Sequence, residues 1–415
     1  ILSPIMQNDT KGSAITMKVV CAALFLIFVF SYVHYFQCDV MAMMQYDWSG
    51  GLKKYDRAIG TVVITSVIAL VALLTNVVTR LPIRFHALNY FPALIILGML
   101  TAVRYHDGAV HPSIVWVVLG LCLLVLSILA ISVAAKYRAY MQPLRSHGFL
   151  SHPWWMNFTQ LFVAFALVYA MGNTDRTLHT RLAVERLCIQ QDFAGALQRG
   201  IPKYDNDSSL VMLRAMALAK GSASDSTCLL GEHLFNYEIT GGSRSLFPQR
   251  DKSSAFLLGN SYNLWQTIGF VPCNQSESPI VILKRELARE KTRLLVYNDT
   301  TLPQEQRDSV SKPLCRPAAR DYLLCAYLLD RDLRSFVRLL PEVYKLDTSL
   351  PQHYREACVL YKKLMGTAVY NDPAVEADYE DFLTVMRSQH DPALRRAALR
   401  DSHFGTYWYY YHVRN

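Results

Sequence analysis

At 415 residues, 52% of them hydrophobic, the chain is long enough for two or three domains, and its mean hydropathy of +0.14 averages two different regimes. Residues 1–171 hold 11 Lys/Arg, 5 Asp and no Glu, whereas residues 172–415 hold 31 Lys/Arg against 28 Asp/Glu, so most of the net +9 lies in the apolar part. No Lys/Arg-rich block of the kind that binds nucleic acid occurs, which excludes that partner and makes the basic surplus a signal of membrane topology.

Residues 1–14 are polar. Five apolar stretches follow, each near the roughly 20 residues a helix needs to cross a hydrocarbon core. The first runs from about Ile15 to Phe36, with Lys18 able to snorkel to one interface and Tyr32, Tyr35 and Phe36 at the other. A link with Trp48 and the Ser-Gly-Gly turn at 49–51 leads to the second, about Ala58 to Thr79, with Asn76 near its end. The third, about Ala87 to Val103, is the shortest and carries Pro92. Arg104 to His111 forms a tight link before the fourth, about Pro112 to Ala135. Pro153, Trp154 and Trp155 open the fifth, whose apolar run is Phe158 to Met171. The sequence thus predicts an all-α protein, with a polytopic transmembrane bundle of five helices over 15–171 and a soluble helical domain over 172–415.

Five spans put the two ends on opposite faces. With a cytoplasmic N-terminus, the inner segments hold Lys11, Lys18, Arg80, Arg84, Lys136, Arg138 and Arg145, and the outer links hold only Lys53, Lys54, Arg57 and Arg104. Seven basic residues against four favours that orientation, and the soluble part is then periplasmic. Ile1 is not an initiator Met, so the true N-terminus is left open. No cleaved signal peptide is expected, because the first apolar segment is long and no small-residue cleavage pattern follows it.

After Gly172 the periodicity is helical. Asp192 is placed to cap a helix starting at Phe193, and Asp207 or Ser208 starts another that stops at Gly221. Residues 239–253 read as a loop, Ala255–Ile268 as a helical return, 279–295 as a charged-face helix and Pro303–Pro317 as a polar break. The stretch Arg181 to Ala196 aligns without a gap on Asp321 to Phe336, with Asp192 on Asp332 and, beyond, Tyr204 on Tyr344. One helical hairpin cannot bury its own apolar face, so two of matching turn chemistry predict stacked helix pairs, an α-solenoid of the tetratricopeptide kind. Further helices are expected at Pro351–Leu364, Pro373–Gln389 and Pro392–Arg400, each opened by a proline.

Arg316-Pro-Ala-Ala-Arg-Asp-Tyr-Leu-Leu, Leu328-Leu-Asp-Arg-Asp-Leu-Arg-Ser-Phe, Leu350-Pro-Gln-His-Tyr-Arg-Glu-Ala and the ending Gly405-Thr-Tyr-Trp-Tyr-Tyr resemble an uncharacterised family of Bacteroidota inner-membrane proteins. In that family a transmembrane bundle precedes a tetratricopeptide-like domain. The resemblance implies an envelope location and this architecture, and it transfers no catalytic residue.

Chemistry-bearing motifs are sparse. The pairs His147/His152 and His106/His111 do not form a His-Glu-x-x-His arrangement, no Cys-x-x-Cys exists, and no metal or cofactor is expected. Neither a Gly-x-Ser-x-Gly elbow nor a phosphate-cradling loop occurs, which argues against an enzyme. The centres of the spans lack Asp, Glu, Lys and Arg, which argues against a lone transporter. Of nine cysteines, Cys273 and Cys315 sit in loops where an oxidising periplasm would allow a disulfide, while Cys188, Cys325 and Cys358 read as buried thiols. The terminal run Tyr407, Trp408, Tyr409, Tyr410 and Tyr411 must dock, either on the final helix pair or as an anchor for a membrane interface or a partner.

The expected function is that of an inner-membrane-anchored periplasmic scaffold or chaperone-like subunit of an export or assembly complex. It would contact membrane lipid and other envelope proteins in a hetero-oligomeric complex. The candidate contact surface is Tyr322, Tyr327, Arg331, Arg334 and Arg338 together with the aromatic tail. The alternatives are an accessory subunit of a transporter or translocase, and an enzyme subunit of envelope glycan or lipid assembly using Asp39, Asp47, Asp56 and Asp107.

Overall fold

A computed structural model describes residues 4–50, 52–53, 55–106, 109–136, 151–199, 208–221, 229–239, 242–246, 280–281, 283–285, 287–289, 317–347 and 350–413. The chain divides into two compact units, with the boundary after His179.

In the first unit α1 (Pro4–Ser31) continues as a π-helical turn, Tyr32–Phe36, and is followed by α2 (Cys38–Trp48) and α3 (Arg57–Thr79). A 3₁₀ segment, Ile83–Tyr90, runs into α4 (Phe91–Thr101); then come β1 (Val103–His106), β2 (Ala109–Pro112), α5 (Ile114–Lys136) and α6 (His152–Met171). Among the described residues, five helices are long and apolar enough to cross a membrane: Ile15–Phe36, Arg57–Thr79, Ile83–Thr101, Ile114–Lys136 and His152–Met171. α4 is central, burying Ala93, Leu94, Ile95, Leu97 and Gly98, and it packs on α3, α5 and α6. α1 buries one stripe at helical spacing, Met17, Cys21, Phe25 and Val29. The outward faces of α3 and α5 are exposed Val, Leu and Ile, as lipid contact requires.

Two links depart from the sequence reading. The stretch between the first two spans is largely helical, because α2 buries Val40, Met41, Met43 and Met44. The link at 103–112 is an antiparallel hairpin pairing Val103 with Pro112 and His106 with Ala109. The fold is otherwise helical among the described residues. Pro92 falls in the first turn of α4, where its missing N–H breaks no hydrogen bond, so it starts that helix rather than kinking it.

Backbone polar groups in an apolar bundle need partners, and irregular backbone exposes them. The 3₁₀ segment is such a place, and a buried amide from α6 supplies it. Asn157 donates to Ile83 O at 2.8 Å and to Pro153 O at 2.7 Å, and accepts from Ala87 N at 2.8 Å. Beside it, Asn89 donates to Asn76 Oδ1 at 2.9 Å and accepts from the Thr79 hydroxyl at 2.6 Å, tying the segment to the end of α3. At the other end of the bundle the Tyr32 hydroxyl meets Thr101 Oγ1 at 3.1 Å, and Gln37 donates to Asn173 O at 3.0 Å. Gly172 is required there, since a Cβ would strike the Tyr32 hydroxyl.

The second unit contains α7 (Arg176–Ile189, which carries the boundary), α8 (Phe193–Gln198), α9 (Ser208–Gly221) and α10 (Leu229–His233). Its later helices are α11 (Pro317–Leu329), α12 (Leu333–Val343), α13 (Gln352–Met365), α14 (Pro373–Ser388), α15 (Pro392–His403) and α16 (Tyr407–Val413). α9 and α11 are the inner helices, with Leu210–Ala219 and Tyr322–Leu329 buried throughout. Fully buried Phe336 and Phe382 each stabilise this core by about 1.5–3 kcal/mol.

The aligned hairpins share their turn in three dimensions. Gln191 at φ 64° and Arg331 at φ 58° are both left-handed. Asp192 N reaches Leu187 O at 3.0 Å and Asp332 N reaches Tyr327 O at 2.9 Å, while Gln191 N reaches Cys188 O and Arg331 N reaches Leu328 O, both at 3.1 Å. This is a Schellman ending. Each aspartate then caps the next helix, Asp192 accepting from Gly195 N at 2.9 Å and Asp332 from Ser335 N at 3.0 Å. The counterpart of Tyr344, Tyr204, lies outside the described residues.

Candidate functional site

α12 is sharply two-faced because its residues alternate at helical spacing. Leu333, Phe336, Val337 and Leu340 are buried, Arg334 and Arg338 are exposed on the opposite side, and Arg331 of the turn is exposed too. Asp332, at the head of this helix, is partly desolvated. Its hydrogen bonds from Ser335, with Lys284 and Arg338 nearby, outweigh that cost and hold its carboxyl below the ordinary value of 3.8. Lys284 also stands 4.9 Å above the Tyr327 ring.

The aromatic tail forms α16 and docks on this corner. Glu356 of α13, almost fully buried, accepts from Tyr407 N at 2.6 Å and so satisfies a backbone donor at the start of α16. The same carboxylate meets His353 Nδ1 at 3.2 Å and accepts from Gln352 Nε2 at 2.9 Å. The Tyr407 hydroxyl donates to Leu328 O at 3.1 Å and the Tyr410 hydroxyl to Leu329 O at 2.8 Å. Those are the last carbonyls of α11, which lack partners inside their own helix. Arg331 donates to Tyr410 O at 3.4 Å, and its guanidinium lies 5.9 Å from the Tyr410 ring centre and 5.6 Å from that of Tyr411.

The structure therefore divides the residues singled out from sequence. Tyr322, Tyr327, Tyr407, Trp408 and Tyr410 are buried in one core and Tyr409 is half-buried, so these rings hold the fold together. Burial drives the Tyr322 and Tyr407 hydroxyls well above the ordinary phenol range, leaving both neutral. Arg331, Arg334 and Arg338 are what this surface offers to solvent. The sequence reading put the tail on the final helix pair or on a membrane or partner; the structure docks it on α11 and α13 as well, through Leu328, Leu329 and Glu356.

Sequence reasoning missed the polar groups inside the unit. Asp321, buried in α11, accepts from the Tyr344 hydroxyl at 2.6 Å and from Tyr354 at 3.3 Å, and the Cys325 thiol lies 3.4 Å from Tyr354. The only sequence signal was the position of Tyr344 in the hairpin alignment. Burial pushes the thiols of Cys188 and Cys358 up to about 12 and that of Cys325 higher still, so none is a nucleophile at neutral pH. Cys273 and Cys315, the proposed disulfide, lie outside the described residues.

Of the four acidic residues named for the enzyme alternative, two have hydrogen-bond partners of their own. Asp56 caps α3, accepting from Ile59 N at 2.8 Å, and Asp39 lies 3.6 Å from the Cys38 thiol. Asp47 is exposed near the end of α2, and Asp107 lies outside the described residues. No group of three or more His, Cys, Asp or Glu able to hold a metal occurs among the described residues.

Comparison with known proteins gives a family match over the part of the chain that builds this surface. No curated protein and no solved structure matches the chain. Residues 279–414 match a family of unknown function (DUF6057), a stretch that takes in the whole of α11 to α16.

Proposed function

We propose that the chain is a membrane-anchored scaffold that holds a partner protein on the arginine face of its helical domain. The observation that carries this reading is the presence of two hairpins of the same turn geometry, one of which exposes Arg334 and Arg338 on one helix face with Arg331 exposed in the turn before it. Stacked hairpins of this tetratricopeptide-like kind present extended surfaces, and arginine is a residue that interfaces favour. The basic excess in alternate links supports a cytoplasmic N-terminus and a periplasmic helical domain in a bacterial inner membrane. The resemblance to envelope proteins of Bacteroidota agrees with that placement, and the partners are then other envelope proteins in a hetero-oligomeric complex.

The test is purification of the full chain in gentle detergent after in-cell crosslinking, with a topology reporter at the C-terminus. A partner that co-elutes with the wild type and is lost with Arg334→Glu and Arg338→Glu supports the reading. A chain that elutes alone, or a reporter active only in the cytosol, overturns it.

A further inference from the structure

The link between the first two spans ends in a built turn. Gly50 takes φ +58°, the Ser49 hydroxyl donates to Tyr46 O at 3.2 Å and accepts from Lys53 N at 3.2 Å, and Leu52 N closes on Ser49 O at 3.2 Å. The chain after it is held against the spans. The Tyr55 ring lies on Gly60 in the first turns of α3, where a Cβ would strike it. Arg57 donates to His34 O at 2.9 Å, and its guanidinium lies 5.6 Å from the Tyr35 ring centre.

Here Trp48 is 71% exposed and Leu52 is 90% exposed. An isolated exposed leucine is ordinary, but a tryptophan and a leucine four positions apart, both exposed in the link that joins two apolar spans, are a pair to explain. Tyr35 and Phe36 at the end of the first span and Tyr169 near the end of α6 are also exposed, with Phe36 and Tyr169 edge to face at 6.2 Å. The span ends thus carry exposed aromatics of their own, and Lys53, next in the chain to Leu52, is exposed as well.

We propose that Trp48, Leu52 and Lys53 form an anchor in the phospholipid interface that fixes the depth and tilt of the first two spans. The indole ring has an apolar body and one N–H donor, which suits the boundary between acyl chains and headgroups. Leu52 gains by leaving water, and Lys53 can lay its stem on the apolar layer with its ammonium among the phosphates. Interfacial anchors of this kind set helix tilt. The proposal rests on the five helices lying in a bilayer.

The test places the full chain in phosphatidylcholine vesicles whose acyl chains are brominated at a shallow or a deep position. The Trp48 emission is the difference between wild type and Trp48→Phe, and the Trp155 emission, obtained likewise from Trp155→Phe, reports insertion of the bundle. The expected result is loss of most of the Trp48 emission to shallow bromines and less to deep ones. Quenching by aqueous acrylamide instead shows a solvent-facing turn and overturns the proposal. Emission indifferent to both quenchers shows a protein covering the turn, a second copy or a partner, and also overturns it. If Trp155 too escapes bromine, the membrane reading itself fails. Should Trp48→Phe not fold, Leu52→Trp in the wild-type chain is read in the same way.

Discussion

Glu356 accepts the backbone N–H of Tyr407 at 2.6 Å, joining the middle of α13 to the head of the terminal helix. One carboxylate thereby serves a helix terminus and two side chains in a site closed to water. Removing it strands Tyr407 N and His353 Nδ1 in the core. Glu356→Ala is expected to cost about 1.5–3 kcal/mol, the range for hydrogen bonds to a buried charged group. Glu356→Gln, which keeps a carbonyl acceptor, is expected to cost less. Thermal unfolding of the detergent-purified chain, followed by the near-ultraviolet signal of Trp408 and its tyrosine neighbours, measures both.

Asp192 and Asp332 cap their helices in the same way, so the two are expected to respond alike. Asp192→Ala and Asp332→Ala should each cost about 1 kcal/mol. The double variant should show nearly the sum, because the two carboxylates accept from different residues, Gly195 and Ser335, 140 positions apart. Denaturant titration of the three variants checks this, and a strongly non-additive result would show the hairpins to be coupled.

The same cap has a pH dependence. The Asp332 carboxyl is held below its ordinary value of 3.8 in the folded chain, so its stabilisation is complete above that value and fades as pH falls through the lower folded one. Between neutral pH and about pH 5, Asp332→Asn should therefore leave the pH dependence of stability unchanged, and below pH 4 its curve should flatten relative to wild type.

Asn157 bridges three backbone groups from two elements of the membrane unit. Asn157→Leu fills a similar volume but leaves Ile83 O and Ala87 N without that partner. A loss of about 1–3 kcal/mol is expected, seen as a lower aggregation midpoint of the detergent-solubilised chain. Asn157→Asp, which keeps the acceptor for Ala87 N but not the two donated bonds, should not restore it.

Cys188 and Cys358 should be silent to alkylation at pH 8 in the folded chain, since burial raises both thiols to about 12 and leaves almost no thiolate. Peptide mapping after iodoacetamide treatment, with and without denaturant, checks this. Rapid labelling without denaturant would mean that the helix pairs around them open readily.

Much of this protein can be read along the chain because its signals are local. Runs of Val, Leu and Ile marked the spans to within a few residues, Asp192 and Asp332 marked helix starts, and the prolines at 351, 373 and 392 opened α13, α14 and α15. The helix over 38–48 escaped notice because its apolar residues, Met41, Met43 and Met44 among them, follow no clean period, and only tertiary burial selects its conformation. The candidate surface was half legible. The arginines at 331, 334 and 338 were picked by position and type and are exposed, but residue type alone could not say whether a tyrosine beside them points outward or inward.

Sequence by itself determined what each segment must do about water: cross lipid, turn, or bury one face of a helix. Those outcomes depend on residues three or four apart, or on a run of about twenty, and both lie within one stretch of chain. Tertiary structure alone decided which polar groups meet. Glu356 finds Tyr407, Asn157 finds Ile83 and Ala87, and Tyr410 finds Leu329 because a buried donor or acceptor needs a partner wherever the fold can bring one, and no local pattern records that choice.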